Sequence, residues 1–170
     1  IMKLSDLLEK GQPNSLESEK AVLSAMITST DSILQSISIL KATDFYNPYN
    51  QQVFEIIAKM FQKNITIDMY TLFEVLEKKG LINKDEGLTD LIDLVDSGLG
   101  TNIDSSIKIV LANSQRRKLI NHSLEIIKDC YFETDIDDLL DNSEKKILSV
   151  GQSRFVKGIE HIKETVISYS

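Results

Sequence analysis

From Asn102 to Lys128 the chain contains neither a proline nor a glycine. Apolar residues recur there at helical spacing, and Leu124 and Ile127 resume the period after the charged segment Gln-Arg-Arg-Lys. At about 1.5 Å per residue, one continuous helix over this stretch would be about 40 Å long. A small domain cannot cover a helix of that length, so the stretch predicts a helix that packs on further elements.

A second helical pattern runs from Asp135 to Val150, after the turn sequence Asp-Cys-Tyr-Phe-Glu-Thr. Two helices joined by a short connection pack antiparallel, so residues 101–150 are predicted to form a helical hairpin. Because the preceding domain is too small to cover its apolar seam, we predict that the hairpin joins copies of the chain. The predicted interface residues are Ile107, Val110, Leu111, Ile136, Leu140 and Ile147.

Residues 1–100 read as a compact helical head domain. Asn14 or Ser15 can cap a first helix, Asp68 can cap a later one, and Gly80 can end it. Two prolines and seven glycines in a chain rich in Ile, Leu, Lys, Glu and Ser indicate an all-α fold. The predicted inward residues of the head are Val22, Ala25, Met26, Ile33, Leu34, Ile37, Leu40, Val53, Phe54, Ile57, Met60, Phe61, Met69, Leu72, Phe73, Leu76, Leu88, Leu91, Ile92 and Val95.

Three aromatic residues, Phe45, Tyr46 and Tyr49, flank an Asn-Pro pair just before one of these helices. Pro48 restricts the backbone of Asn47, so the helix can begin only after that pair. The aromatics could form a ligand site, but apolar residues before a helix cap commonly pack back on its first turns. We therefore interpret them as residues that seat a core helix.

Residues 151–170 form a third segment, predicted to be a linker helix. Phe155, Ile159, Ile162 and Val166 are spaced by four, three and four residues, which gives a narrow apolar seam. A one-sided helix of this length is marginal alone in water, so we expect the seam to dock on another molecule or another domain.

Nineteen basic and twenty-six acidic residues give a net charge of −7, which is unfavourable for a piece that neutralises phosphates. The chain contains no phosphate-cradling G-x-x-x-x-G-K-[ST] motif and no nucleophile–base pattern, so no catalytic residue is assigned. No apolar run approaches membrane-spanning length, and the first residues lack the core of a signal peptide. These features predict a cytoplasmic, non-enzymatic region without membrane contact.

Four features could carry a sharper function. His122 and His161 lack the neighbours of a metal site, and the acidic stretch 135–144 lacks the glycine of a calcium loop. Cys130 reads as a buried, inert thiol rather than a nucleophile. The basic cluster Arg116, Arg117 and Lys118 stays open between a partner contact and an exposed helix face.

Several segments, in this order and spacing, resemble the N-terminal region of the DnaB-family replicative DNA helicases. They are PNSLESEKAVLSAMI, ATDFYNPYNQQVFEIIAKMFQKNITID, TLFEVLEKKGLI, SQRRKLI and DLLDNSEKKILSV. The resemblance extends from Pro13 to the final helix. Its most specific part is DFY-x-P followed some twenty residues later by an apolar residue, Asp, two residues and Thr-Leu.

The resemblance implies a scaffold within the primosome. Head domains and hairpins would pair, as a dimer, a trimer of dimers or a hexamer, and close into a ring collar. The collar would receive the C-terminal domain of primase and often a helicase loader, and the last helix would hook onto the neighbouring subunit's motor domain. ATP, Mg²⁺ and DNA would be bound by the motor domain, with no cofactor in this region. The alternative is a stand-alone helical adaptor or regulator without a motor.

Overall fold

The computed structural model describes residues 4–151, apart from residues 84, 86 and 99. Within these residues all regular structure is helical, which confirms the predicted all-α class. The helices are α1 Leu4–Leu8, α2 Leu16–Thr28, α3 Thr30–Ile39, α4 Pro48–Gln62, α5 Met69–Lys78, α6 Gly87–Ser97, α7 Ile103–Phe132 and α8 136–151, with a 3-10 turn at Ala42–Asp44. Among the described helices, none combines the length and the apolarity needed to cross a membrane.

The chain packs as two units. One comprises residues 14–114, and the other comprises residues 1–13 with residues 115–170. Helix α7 begins in the first unit and continues into the second. The predicted division into segments 1–100, 101–150 and 151–170 stays a prediction, and the proposed linker helix lies outside the described residues.

Local sequence signals place the helix starts of the 14–114 unit. The Ser15 side chain accepts a hydrogen bond from the backbone of Ser18 and caps α2. Asn47 caps α4 by accepting from the backbone N–H groups of Tyr49 and Asn50, at 2.9 and 3.2 Å. Asp68 caps α5 in the same way. These short polar side chains satisfy backbone donors that a helix leaves unpaired at its start.

Phe45 fills the core of this unit. It is 1% exposed, and its ring centroid lies 4.9 Å from that of Phe54 on α4. Tyr49 packs half-buried against the same core, while Tyr46 is 41% exposed. The interpretation of this aromatic group as a helix seat is confirmed for Phe45 and Tyr49 and was wrong for Tyr46.

The buried faces of two helices differ from the prediction. On α3, Ile33 is buried but Leu34 is 49% exposed. On α6, Leu91 and Leu94 are buried, whereas the expected inward residues Leu88 and Ile92 are 37% and 40% exposed. Helical periodicity predicts that a helix has an apolar stripe, but the partner helix decides which edge of that stripe is covered.

Glu19 is a buried carboxylate, 2% exposed, and it joins α2 to the start of α4. It accepts hydrogen bonds from the backbone N–H of Tyr46 at 2.5 Å and from the Asn50 side chain at 2.8 Å. The backbone N–H of Asn47 donates to it at 3.3 Å. These donors offset the cost of removing the charge from water. Glu19 also lies in the first turn of α2, where a negative charge complements the positive end of the helix.

Gly98, just after α6, sets how closely α6 approaches α2. A Cβ atom at this position would overlap with the side chain of Ser24 on α2. The Ser24 hydroxyl donates a hydrogen bond to the carbonyl oxygen of Val95 at 2.6 Å. This bond holds α2 and α6 together, so the two helices cannot readily move apart to accommodate a Cβ atom at position 98.

Gly98→Ala is therefore expected to lower the free energy of unfolding by about 1–3 kcal/mol, the usual range for overpacking a tight contact. Urea denaturation would measure the change. Asp96→Ala, an exposed position on the same helix, should change stability by less than about 0.5 kcal/mol. Equal effects of the two substitutions would contradict the proposed close approach.

Candidate protein-interaction surface

The second half of α7 and helix α8 form the hairpin predicted from the sequence. Residues 133–135 connect them, and Asp135 caps α8 by accepting from the backbone N–H groups of Asp137 and Asp138, at 2.9 and 3.2 Å. A side-chain cap at this point ends the connection and fixes the residue at which α8 begins.

Lys146 on α8 links the two helices of the hairpin. Its ammonium group lies 2.7 Å from a carboxylate oxygen of Asp129 and 3.4 Å from one of Glu125, both on α7. Contact between residues seventeen positions apart across a short turn shows that the helices run antiparallel. The hydrogen bond to Asp129 is the main reason that the pKa of Lys146 is raised, although partial desolvation opposes it.

A raised lysine pKa stabilises the folded hairpin below the ordinary value of 10.5, and this contribution disappears as the pH rises through the folded-state pKa. Lys146→Gln should therefore lower the thermal unfolding midpoint at pH 8, and the difference from the native protein should vanish at strongly alkaline pH. Lys145→Gln, an exposed neighbour, should show no such pH-dependent difference. A difference that persists above the lysine titration would contradict the ion pair's role.

The basic cluster that the sequence singled out has three different environments. Arg117 is 8% exposed, and its guanidinium donates a hydrogen bond to the Pro13 carbonyl at 2.7 Å. Arg116 is exposed and Lys118 is half-buried. Arg117 therefore holds the segment before α2 against α7. A partner contact through Arg116 and Lys118 stays a prediction.

Of the predicted interface residues, those on α8 lie at the surface. Ile136, Leu140 and Ile147 are 64%, 55% and 53% exposed. At 100° per residue they fall on one stripe of α8. The half-buried Leu139 and the buried Val150 lie on the neighbouring stripe, together with Lys146. The structure thus brings the three α8 residues together on an uncovered face.

The predicted interface residues on α7 lie elsewhere. Ile107 and Val110 are each 2% exposed and belong to the core of the 14–114 unit, and Leu111 packs against that core. Their assignment to an interface between copies was wrong, because the first turns of α7 are covered by other helices of the same unit. Periodicity marked a buried face but could not show what buries it.

The uncovered apolar stripe of α7 lies further along the helix. It consists of Ile120, which is half-buried, and of Leu124, Ile127 and Tyr131, which are 37%, 45% and 83% exposed. Their spacing of four, three and four residues is that of a coiled-coil seam. At 100° per residue this seam lies on the far side of α7 from Glu125 and Asp129, the residues that contact α8. The spacing is present in the sequence, where Leu124 and Ile127 continue the helical period after the charged segment.

Cys130 is exposed on α7, so its prediction as a buried thiol was wrong. Cys130 lies near the end of α7, on a side of the helix that α8 does not cover.

His122 is half-buried, with its Nδ1 atom 3.6 Å from a carboxylate oxygen of Glu125. Among the described residues no group of His, Cys, Asp and Glu could hold a metal ion. His161 and the predicted docking residues Phe155, Ile159, Ile162 and Val166 lie outside the described residues.

Comparison with known families gives one match that covers most of the first unit. The model of the DnaB-like helicase N terminal domain matches residues 11–112. This range contains all the core residues of the 14–114 unit named above.

Curated relatives match over nearly the whole chain. The replicative DNA helicase DnaC of Bacillus subtilis (strain 168) is 28% identical over 167 residues, which is 96% of this chain and 37% of the relative. The replicative DNA helicase DnaB of Geobacillus stearothermophilus is also 28% identical, over 94% of this chain and 36% of the relative. The chain thus spans about a third of the length of these relatives.

Two solved structures share the fold. The N-terminal domain of DnaB helicase from Mycobacterium tuberculosis aligns with a TM-score of 0.72 at 24% identity, over 81% of this chain and 99% of that chain. The N-terminal domain of DnaB helicase from Helicobacter pylori, described with its interactions with primase, aligns with a TM-score of 0.58 at 25% identity. That alignment covers 76% of this chain and 99% of the other.

Proposed function

Because the chain belongs to the family of DnaB-like helicase N-terminal domains, we propose that it serves as the assembly and docking collar of a replicative DNA helicase. The observation that carries this proposal is the family match over residues 11–112. The relatives' replicative helicase names support the wider role. In this role the chain performs no chemistry of its own and acts by holding subunits and partners together.

The whole helicase would unwind duplex DNA with ATP and Mg²⁺ bound in a motor domain outside this region. The sequence supports that division of labour, since it contains no G-x-x-x-x-G-K-[ST] motif with which to cradle phosphates. No residue of this chain is therefore assigned to nucleotide, metal or DNA. Its net charge of −7 also makes it a poor site for a phosphate backbone.

Self-association is proposed to occur through the hairpin. The α7 seam and the α8 stripe expose large apolar side chains, from Leu124 at 37% to Tyr131 at 83%. Contiguous apolar patches of this kind on a protein surface mark interaction sites. A second copy is the proposed occupant because two identical four-three-four seams can interdigitate as a coiled coil does.

Charge favours an antiparallel pair of α7 helices. Pairing Ile120 of one copy with Tyr131 of the other, and Leu124 with Ile127, aligns all four apolar layers. The same register brings Arg116, which lies beside the seam on α7, towards the acidic connection at residues 133–135 of the second copy, so opposite charges meet at both ends of the seam. A parallel arrangement would place the two basic clusters side by side. A two-fold pair of this kind is the commonest symmetric arrangement among soluble oligomers.

Primase is the proposed partner of the assembled collar, with a helicase loader as a further partner. Support comes from the Helicobacter pylori domain of the same fold, whose structure is described with its interactions with primase. The exposed Arg116 and the half-buried Lys118 are the candidate contact residues on α7. Primase can contact Arg116 and Lys118 only where the pairing of two hairpins does not cover these side chains.

Two measurements test this function. Sedimentation velocity from about 1 to 100 µM should show dimers or larger rings, a concentration range that suits interfaces of modest size. Binding of the C-terminal domain of primase from the same organism should be measurable by calorimetry. If the chain stays monomeric at every concentration and does not bind that primase domain, the result supports an independent adaptor instead.

A further inference from the structure

A cleft of about 430 Å³ lies in the 14–114 unit. It is bordered by the starts of α2 and α4, by residues 81–82 and by α6. Apolar side chains from three places in the sequence line it, namely Leu16, Leu81 with Ile82, and Leu94. Leu16 is 41% exposed although it sits at the start of a helix that is otherwise largely buried. The volume lies within the range of functional clefts in proteins.

The cleft is lined by more acidic than basic side chains. Asp90 and Asp93 line it from α6 and are both exposed, three residues apart on one face of the helix. Lys20 is the basic residue among its lining side chains. Burial raises the pKa of the Tyr49 phenol, and the negative charge of Asp90 raises it further, so the carboxylate's field extends to the Tyr49 side chain.

We propose that this cleft docks a cationic amphipathic helix of another protein. An apolar floor with an acidic rim complements a helix that carries leucine-like residues on one face and lysine or arginine beside them. The two aspartates would attract such a helix and set its orientation, while the apolar lining would supply most of the binding energy. The lining residues are distinct from the α7 seam and the α8 stripe, the two surfaces proposed for self-association.

The probe is a pair of synthetic fourteen-residue peptides with the same leucine pattern, one with lysine and one with glutamate at every polar position. The ¹⁵N-labelled protein is titrated with each peptide while its amide resonances are followed. The lysine peptide should shift the amides of Leu81, Ile82 and the residues of α6, and the glutamate peptide should not.

Variants then test the charge and the floor separately. Asp90→Asn with Asp93→Asn should weaken binding of the lysine peptide by about threefold or more, from the usual strength of exposed charge pairs. Lys20→Gln should strengthen it, because one repulsion is removed. Leu16→Ser should weaken it while leaving the charge unchanged. Asp96→Asn is the matched control, since it removes the same charge from α6 outside the cleft.

Three results would overturn the proposal. One is an equal loss of affinity in Asp96→Asn and in the double variant, which would indicate attraction to the overall charge of the protein. Another is binding that maps to the acidic hairpin turn at residues 133–141. The third is equal binding of both peptides, which would mean that the two aspartates do not distinguish a cationic helix from an anionic one. Circular dichroism of each variant confirms that the fold is intact, and these positions lie at the surface.

Discussion

Glutamate at both Leu124 and Ile127 is expected to leave the protein monomeric at about 50 µM, a concentration at which the native chain should associate. The two side chains occupy the centre of the α7 seam and are 37% and 45% exposed. In a pair of copies each would be buried against apolar neighbours, where an unpaired charge is costly. We expect the dissociation constant to rise at least about 100-fold, equivalent to about 2.7 kcal/mol. Sedimentation equilibrium would measure it.

Ile109→Glu provides the matched control for this experiment. Ile109 lies on the same helix and is 41% exposed, but it belongs to the 14–114 unit and not to the seam. It should leave association unchanged. If the double variant at Leu124 and Ile127 associates as well as the native chain, another surface joins the copies. A loss of association in Ile109→Glu alone would point to the same conclusion.

Phe45→Ala is expected to lower the free energy of unfolding by about 3–5 kcal/mol, the usual cost of removing a buried phenylalanine side chain. Phe45 is 1% exposed and packs on Phe54, which belongs to α4 at the centre of the unit. Small domains have only about 5–15 kcal/mol in total, so the variant would be close to unfolding at room temperature. Urea denaturation at 15 °C would give the difference.

The neighbouring residue supplies the comparison for Phe45. Tyr46→Ala removes an aromatic side chain of similar size that is 41% exposed, and its backbone N–H can still donate to Glu19. It should cost clearly less than Phe45→Ala. Equal losses in the two variants would mean that the core does not depend on Phe45 in the way its burial indicates.

Most helix starts could be predicted because they depend on residues close together in sequence, although α4 begins at Pro48 itself and not after it, since proline is tolerated at the first helical position. Asn47 with Pro48 and Asp68 with Thr71 use short-range hydrogen bonds and a fixed proline backbone. Gly80, just after α5, has a positive φ of 69°. This end of the helix could also be predicted locally, because glycine readily adopts a positive φ after a helix. The all-α class follows from the helical periods between these signals.

The faces of the helices could not be predicted in the same way. On α6 the prediction was correct for Leu91, but Leu94 is buried in place of Leu88 and Ile92, in a unit where Gly98 lets α6 come close to Ser24 on α2. Ser24 and Gly98 are 74 positions apart, so no local pattern contains this information. The cleft beside α6 has the same origin, because its lining comes from four separate parts of the chain.

The sequence by itself determined most of the helix starts and that α7 is long, because caps, breakers and periodicity act over a few residues. It also contained the four-three-four spacing of the α7 seam. Only the tertiary structure decided that Ile107 and Val110 are core residues while Leu124, Ile127 and Ile136 are exposed. Apolar residues at helical spacing look alike in a sequence, and whether one is buried in its own unit or left for a partner depends on which distant helix packs over it.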